Sequence, residues 1–181
     1  GQSVLVIGSG ISGLLHIQLA RALGAGRIFA VDITEYRLKA AKKVGADVVI
    51  CAKEDVPAYI REINNGWLVD LVIVCTGAPS AIQQALNSVD RGGTILFFAP
   101  TEPGVSTPVN LWDLWRNCNT IVMSYAGPPA DTATAIELIR AGRVKVKELI
   151  THRLSLAEIP LGFKMVAGAG ESVKVIIEPQ R

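Results

Sequence analysis

Long apolar runs, paired cysteines and a charge excess are all missing from this sequence of 181 residues. No apolar run approaches the roughly 18–20 residues that a membrane-spanning helix requires. Cys51, Cys75 and Cys118 form neither a CxxC pair nor an even set, which argues against a disulfide framework. The 18 basic and 16 acidic residues give a net charge of +2 without a basic stripe, which argues against nucleic acid as a partner. We therefore expect a reduced, cytoplasmic protein with no membrane or nucleic-acid partner.

The composition is that of a folded domain. Apolar residues make up 50% of the chain and charged residues 19%, which is too apolar and too weakly charged for a disordered protein. Strand-like sequence begins at Ser3, so no secretory leader is expected. A first strand this close to the terminus indicates either a compact single domain or a boundary within a longer protein.

Short apolar runs alternate with longer stretches of helical periodicity. The predicted strands are 3–7, 27–31, 47–50, 71–75, 94–98 and 120–125, and the predicted helices are 11–23, 34–44, 57–64, 79–89 and 111–116, with a turn at Gly92-Gly93. Continuously apolar strands are typical of a sheet that is covered on both faces. This alternation predicts the α/β class, with a doubly wound parallel sheet of the Rossmann type in the order 3-2-1-4-5-6.

The pattern changes after Gly127-Pro128-Pro129. It predicts a helix over 131–141, a strand over 148–154, a helix that opens at the capping box Ser155-Leu156-Ala157-Glu158, and a last strand over 172–177. These elements are too few for an independent domain. We therefore divide the chain into a Rossmann domain, 1–127, and a C-terminal α+β extension, 128–181, which should pack on the sheet or on a part that is not present here.

The motif G-x-G-x-x-G follows the first strand and opens the first helix. Gly8 permits the tight turn, Gly10 lets a pyrophosphate approach the backbone, and Gly13 allows close packing of helix and strand. The amides of Ile11 and Ser12, with that of Gly13, begin the helix without intrahelical partners, so they can bind phosphate oxygens. The motif in this context predicts a dinucleotide site.

Asp32 stands at the end of the second strand, 19 residues beyond Gly13. A carboxylate there can accept both hydroxyl groups of the adenosine ribose and would repel a 2′-phosphate. Because no arginine occupies position 33 or 34, we expect NAD rather than NADP as the cofactor.

The ends of the fourth and fifth strands mark the rest of the cleft, because ligands of open α/β sheets lie beyond the carboxyl ends of the strands. These ends are Cys75-Thr76-Gly77 and Phe98-Ala99-Pro100. They carry no charged side chain, which suits an adenine edge and a nicotinamide face, although both can equally be simple turns.

These stretches together resemble the coenzyme-binding half of zinc-dependent medium-chain alcohol dehydrogenases, especially the polyol and threonine dehydrogenases. The resemblance covers essentially the whole chain. It is carried by residues 4–15 (VLVIGSGISGLL), Val31-Asp32, Arg37-Leu38, Ala40-Ala41-Lys42, Gly45-Ala46-Asp47, 72–77 (VIVCTG), Arg91-Gly92-Gly93, Ile150-Thr151-His152-Arg153 and Lys174-Val175.

The resemblance implies a set of contacts with NAD. Asp32 would hold the adenosine ribose, Arg37 would lie beside the adenosine, and Lys174 would lie near the pyrophosphate. The backbone of 98–100 and of Ser124-Tyr125 would flank the nicotinamide. For Arg37 and Lys174 a solvated surface cation is an equally good interpretation. The family also implies a small alcohol as substrate.

The chain departs from the family in its metal site. The family's catalytic zinc is bound in an N-terminal domain that has no counterpart here, and a catalytic zinc needs at least three converging protein ligands. Two histidines and three cysteines are scattered along the chain, and the cysteines, Cys118 included, are interpreted as small core residues. We therefore expect neither a metal site nor a catalytic residue in this chain, which should be inactive on its own.

Other functions remain as alternatives. A stand-alone NAD-binding module that senses redox state or regulates a partner would share the same glycine turn. A methyltransferase would usually carry an acidic residue before the first glycine, where this chain has Ile7. A short-chain dehydrogenase needs the motif Tyr-x-x-x-Lys, which this sequence lacks. The motifs of a nucleophile elbow and of a phosphate-binding Walker loop are absent as well.

The last predicted strand of the sheet, 120–125, should leave one edge unpaired. No charged residue lies between Arg116 and Asp131, and the first proline comes at Pro128, so the edge lacks the usual protection against pairing. We therefore expect a homodimer through this edge, as the resemblance also implies. The alternative is that the C-terminal segment covers the edge.

Overall fold

The computed structural model of the protein describes residues 1–99, 101–168 and 170–180. Six parallel strands form its central sheet, in the order β3-β2-β1-β4-β5-β6. The strands are β1 (Ser3–Ile7), β2 (Arg27–Asp32), β3 (Val48–Cys51), β4 (Val69–Val74), β5 (Val89–Phe97) and β6 (Thr120–Met123). The predicted doubly wound Rossmann sheet and its strand order are confirmed.

Helices cover both faces of the sheet. They are α1 (Ile11–Ala22), α2 (Glu35–Lys43), α3 (Val56–Ile63) and α4 (Pro79–Ser88), followed by the short α5 (Leu111–Arg116). Leu5 and Ile7 of β1 join one core cluster with residues of α3 and α4, whereas Val4 and Val6 join a second cluster with residues of α1 and α2. Successive side chains of a strand point to opposite faces, so the continuously apolar sequence of β1 fills both layers.

β5 differs from its prediction, because it begins at Val89 and runs through the predicted Gly92-Gly93 turn. Its pairing with β4 shifts register between Val69 and Leu71, which accommodates the extra residues. Gly92 has a φ of +70°, and a Cβ on Gly93 would stand 2.9 Å from the carbonyl oxygen of Asp70. The two glycines therefore form an irregularity inside a strand, because Gly92 adopts a positive φ and the backbone beside Gly93 approaches too closely for a side chain.

The C-terminal extension contains two further strands and two further helices. They are α6 (Pro129–Arg140), β7 (Ile150–Leu154), α7 (Ile159–Ala167) and β8 (Lys174–Ile177), with 3-10 turns at Val146–Leu149 and Leu156–Glu158. β7 and β8 pair in parallel as a separate sheet. Both halves of the predicted capping box at Ser155 and Glu158 are formed.

The extension contacts the Rossmann sheet through one helix layer. Leu149 is 3% exposed and belongs to the core cluster of α1 and α2. The backbone N–H of Lys145 donates to the side-chain oxygen of Gln18 at 2.6 Å. Within the described ranges, no helix has the length and apolarity needed to cross a membrane.

Candidate dinucleotide site

The turn between β1 and α1 needs glycine at two of its three glycine positions. Gly8 has a φ of +93°, and a Cβ there would lie 3.2 Å from the backbone of Cys75. A Cβ on Gly13 would stand only 1.9 Å from the carbonyl oxygen of Gly8. A Cβ on Gly10 would meet no described atom within 4 Å. The fold itself therefore requires Gly8 and Gly13, and it leaves open space beside Gly10.

The N-terminus of α1 opens beside Gly10, its N-cap residue, which has no side chain to cap the helix. Its first intrahelical bond runs from the N–H of Leu14 to the Gly10 carbonyl at 2.9 Å. The amides of Ile11, Ser12 and Gly13 come before that bond, and the first turn contains no acidic residue. Unpaired N–H groups and the positive end of the helix dipole make this terminus suitable for a phosphate.

Asp32 lies beside this turn and is 5% exposed. One of its carboxylate oxygens accepts the N–H of Ser9 at 2.8 Å. The other accepts both the N–H and the hydroxyl of Thr34, at 2.9 and 2.7 Å. A carboxylate offers about four acceptor positions. One position on the oxygen bound by Ser9 therefore remains for a ligand, and a second requires the Thr34 hydroxyl to turn away.

A cavity of about 400 Å³ opens beside Asp32 at the carboxyl edge of the sheet. It brings together five residues that the sequence predicts for the site, Gly8, Gly10, Asp32, Arg37 and Thr76. The Nε atom of Arg37 is buried and has no hydrogen-bond partner among the described residues. The cavity thus has a carboxylate on one side and an unsatisfied cationic donor on another.

Two polar residues of this cavity, Lys53 and Gln84, were not predicted from the sequence. Lys53 follows β3 by two residues, so its place at a strand end is the signal that could have identified it. Gln84 lies on α4 and donates from its side-chain amide to the carbonyl oxygen of Ala52 at 2.8 Å. The sequence carries no comparable signal for Gln84, because only the packing of α4 over the loop after β3 brings the two together.

The residues predicted for the nicotinamide end lie at neighbouring strand ends outside this cavity. The N–H groups of Phe98 and Ala99 both donate to the carbonyl oxygen of Val74, and the N–H of Ser124 donates to that of Phe97. Tyr125 is 99% exposed. Gly77 lies in the short connection between β4 and α4. Pro100 lies outside the described residues.

The ring of His16 on α1 contacts the ring of Phe98. Their rings meet edge to face, with centroids 4.6 Å apart. The Nδ1 atom of His16 donates to the Ser12 carbonyl at 2.8 Å and lies 3.5 Å from the sulfur of Cys75. Burial lowers the pKa of His16, although the bond to Ser12 acts in the opposite direction. Burial raises the pKa of Cys75 to about 12, so this residue is a thiol at neutral pH rather than a nucleophile.

Lys174 lies apart from the cavity, on the exposed start of β8. Its carbonyl oxygen accepts the hydroxyl of Thr151 at 3.2 Å, which ties the two strands of the small sheet. The structure therefore does not bring Lys174 together with Asp32 and Arg37.

The described residues do not fit a zinc ion, since they contain no group of three or more His, Cys, Asp or Glu that could hold a metal. The interpretation of Cys118 as a core residue is wrong. It is exposed and has a φ of +53°, because the turn between α5 and β6, in which it lies, is not packed against the core.

Comparisons with known proteins agree with this geometry. A family model described as zinc-binding dehydrogenase matches residues 12–141. The L-threonine 3-dehydrogenase of Bacillus licheniformis is 31% identical over 182 residues, which cover 99% of this chain and 52% of that protein. The sorbitol dehydrogenase of Gallus gallus is 29% identical over 189 residues, which cover 98% of this chain and 50% of that protein.

The solved structure of a protein described as a zinc-binding dehydrogenase from Sinorhizobium meliloti 1021, bound to NADP, superposes on this chain with a TM-score of 0.90 at 26% identity. The match covers 99% of this chain and 53% of that one. The chain thus spans about half the length of the relatives it matches. From its family match, its relatives and its sheet, the chain belongs to the zinc-binding dehydrogenase family.

Proposed function

We propose that this chain is the NAD-binding part of a dehydrogenase that transfers a hydride between a small alcohol or polyol and NAD. The observation that carries the proposal is the glycine turn that opens, next to the buried carboxylate of Asp32, onto a cavity of about 400 Å³. An opening at the carboxyl edge of an open α/β sheet is where dinucleotides bind.

The residues of the turn and the cavity fit the adenosine half of the cofactor. The amides of Ile11, Ser12 and Gly13 would bind the pyrophosphate, and Asp32 would accept a ribose hydroxyl. Arg37, whose buried Nε has no partner among the described residues, would donate to the adenosine side of the ligand. The apolar lining, Ala52, Ala78 and Ala81, would face the adenine.

The nicotinamide would lie along the strand ends that carry Phe98, Ala99, Ser124 and Tyr125. When bound, the nicotinamide ring supplies the chemistry of the reaction by accepting or giving up a hydride. The chain's own contribution is to orient the ring, and the edge-to-face contact of His16 fixes the position of Phe98. Because the side chain of Tyr125 is exposed, the nicotinamide pocket would need a further wall from outside this chain.

The zinc and the substrate contacts are assigned to a part of the parent enzyme that this chain does not cover. Its described residues lack a zinc ligand set, and the relatives are about twice as long. We therefore propose residues 1–127 as the cofactor domain and 128–181 as a segment that completes the catalytic domain of the parent. The chain alone should bind the cofactor and leave alcohols unreacted.

We infer that β6 pairs with its copy in a second chain. Every residue of β6 is exposed, and Val122 and Met123 are 43% and 72% exposed. β6 is the last strand of the sheet, and within the described ranges β7 and β8 pair with each other rather than with it. An uncovered apolar edge is best buried by a two-fold copy of itself.

The preference for NAD over NADP depends on opposing charges in one cavity. A phosphate charge about 4 Å from the Asp32 carboxylate is repelled by roughly 4 kcal/mol at an effective dielectric constant near 20. Arg37 and Lys53 line the same cavity and offset part of this repulsion. Asp32 is buried and lies where the ribose would bind, so we expect its repulsion of a 2′-phosphate to outweigh the attraction of the two cations.

Calorimetric titration with NADH and NADPH tests this assignment. The wild-type chain should bind NADH more tightly, and Asp32→Asn, which keeps the size of the side chain, should narrow the difference. Asp131→Asn on α6 is the matched control, since it removes the same charge at a residue that does not line the cavity. Equal affinity for the two cofactors, or an unchanged preference in Asp32→Asn with an intact melting transition, would refute the role of Asp32.

A further inference from the structure

A second cluster of charge lies toward the C-terminal ends of α1 and α2, away from the glycine turn. These helix ends face the segment that follows α6. They enclose a cavity of about 150 Å³, lined by Gln18, Arg21, Lys43, Val44, Arg143, Lys145 and Glu148. At 1.5 Å per residue, Arg21 is roughly 16 Å along α1 from Gly10. The cavity is therefore separate from the dinucleotide site.

Positive charge exceeds negative charge around this cavity. Of its four cations, Arg21 is paired with Asp47 at 2.5 Å. Lys145 lies 4.0 Å from Glu148, at the limit of an ion pair. The ammonium group of Lys43 forms no ion pair within the described ranges. Four cations against two carboxylates leave an excess of two positive charges, and the negative ends of the α1 and α2 dipoles, about half a charge each, reduce it to roughly one.

Two of these cations are held in position by backbone oxygens. Arg21 donates to the carbonyl of Gly45 at 3.0 Å, and Arg143 donates to that of Ala22 at 3.1 Å. Burial opposes ionisation of Asp47, but the N–H of Ile28 and the guanidinium of Arg21 together lower its pKa, so the pair with Arg21 stays ionised at neutral pH. Lys43 and Lys145 are the cations that remain able to adjust to a ligand.

Gln18 gives an independent indication of a ligand. Its side chain is buried, with a residue exposure of 7%. Its oxygen accepts the backbone N–H of Lys145 at 2.6 Å, which fixes the amide orientation. The Nε2 group is left buried without a hydrogen-bond partner among the described residues. Such donors are rare in folded proteins, because each one forfeits the hydrogen bond it made to water.

We propose that this cavity binds a small phosphate-class oxyanion, either free phosphate or the phosphoryl group of a larger ligand. A volume of about 150 Å³ corresponds to roughly five water molecules, which leaves room for one phosphate group. A phosphate presents at least three acceptor oxygens, which suits the cations of Lys43, Arg143 and Lys145 and the Nε2 donor of Gln18, whereas a carboxylate presents two. Gln18 lines the cavity and its Nε2 is closed to solvent, so an anion oxygen reaches this atom after a small local rearrangement of the lining.

The bound anion would connect two parts of the chain. Arg21 and Lys43 come from the helices of the Rossmann domain, while Arg143 and Lys145 come from the C-terminal extension. Binding should therefore stabilise the docking of the extension on α1 and α2, independently of any cofactor at the glycine turn.

Thermal melting of the full chain with increasing inorganic phosphate, at ionic strength held constant with chloride, tests the proposal. The melting temperature should rise and saturate, and Lys43→Gln should weaken the apparent affinity roughly tenfold, the effect of losing one charge-assisted contact. Lys164→Gln, which removes an exposed cation of α7, should change the affinity less than about twofold. Lys43 makes no ion pair within the described ranges, so this variant should fold normally. Arg143→Gln should weaken binding in the same direction.

The two sources of phosphate are separated by repeating the titration with glycerol phosphate. Equal affinity for both anions identifies a site for the phosphoryl group of a larger ligand, and binding of inorganic phosphate alone identifies a site for the free ion. The proposal is overturned by the absence of a saturable shift, or by a shift that Lys43→Gln leaves unchanged. It is also overturned if saturating NADH abolishes the shift, because the phosphate then binds at the glycine turn.

Discussion

Replacing Gly13 and Gly10 by alanine, one at a time, separates the demands of the fold from those of the ligand. A Cβ on Gly13 would stand 1.9 Å from the Gly8 carbonyl oxygen, where a carbon–oxygen contact needs about 3.3–3.6 Å. The turn must therefore open by roughly 1.4 Å. Overpacking of this kind costs about 1–3 kcal/mol, and the size of this overlap places Gly13→Ala at about 3 kcal/mol.

The helix propensity of alanine offsets part of that cost. Gly13 lies inside α1, where alanine is more favourable than glycine by about 1 kcal/mol. The net loss is then about 2 kcal/mol, which corresponds to a fall in melting temperature of roughly 4–8 °C for a chain of this size. We expect this loss without any cofactor present.

Gly10→Ala should behave in the opposite way. The φ of −71° and ψ of −169° at Gly10 are accessible to alanine, and the new methyl group would meet no described atom within 4 Å. The weaker N-cap and the smaller entropy of the unfolded chain nearly cancel, so stability should stay within about 0.5 kcal/mol of wild type. The methyl group would occupy the space through which a pyrophosphate approaches, so NADH affinity should fall roughly tenfold or more.

Differential scanning calorimetry and NADH titration measure the two effects separately. A Gly13→Ala chain that melts at the wild-type temperature would show that the turn does not hold Gly8 and Gly13 in contact. If Gly10→Ala bound NADH with wild-type affinity, the pyrophosphate would not bind at this turn.

Two further predictions concern His16 and the edge of the sheet. Burial lowers the pKa of His16, so the contribution of His16 to stability should be constant above about pH 6.5 and should fall at lower pH, by at most about 1.4 kcal/mol per pH unit, because the unfolded chain takes up the proton first. His16→Gln should reduce the difference in unfolding free energy between pH 7.5 and pH 5.5, measured by urea unfolding. A difference equal to that of wild type would contradict the buried neutral imidazole. Val122→Lys should convert the chain from dimer to monomer by light scattering at tens of micromolar, because it places a charge on the edge of β6. A monomeric wild-type chain, or a dimer that this variant leaves intact, would count against edge pairing.

The sequence predicted the parts of the site that depend on local backbone geometry. Gly8 and Gly13 are needed because the turn between a strand and a helix brings backbone atoms together within a few residues. Asp32 is recognisable because the strand that carries it ends at a fixed distance along the chain. Apolar periodicity predicted the alternation of strands and helices, and the preference for right-handed crossovers in a Rossmann sheet then predicted the strand order.

Tertiary structure decided the features that join distant parts of the chain. The kink at Gly92 and Gly93 is part of β5 because the Asp70 carbonyl lies against it, and no local pattern reveals that approach.

The basic cavity depends on tertiary structure even more strongly. The bond from the Lys145 N–H to the Gln18 oxygen spans 127 positions, and the Gln18 Nε2 is buried without a partner among the described residues. Hydrogen bonding and charge balance at a buried site depend on which side chains converge in space, and the spacing of residues along the chain does not carry that information.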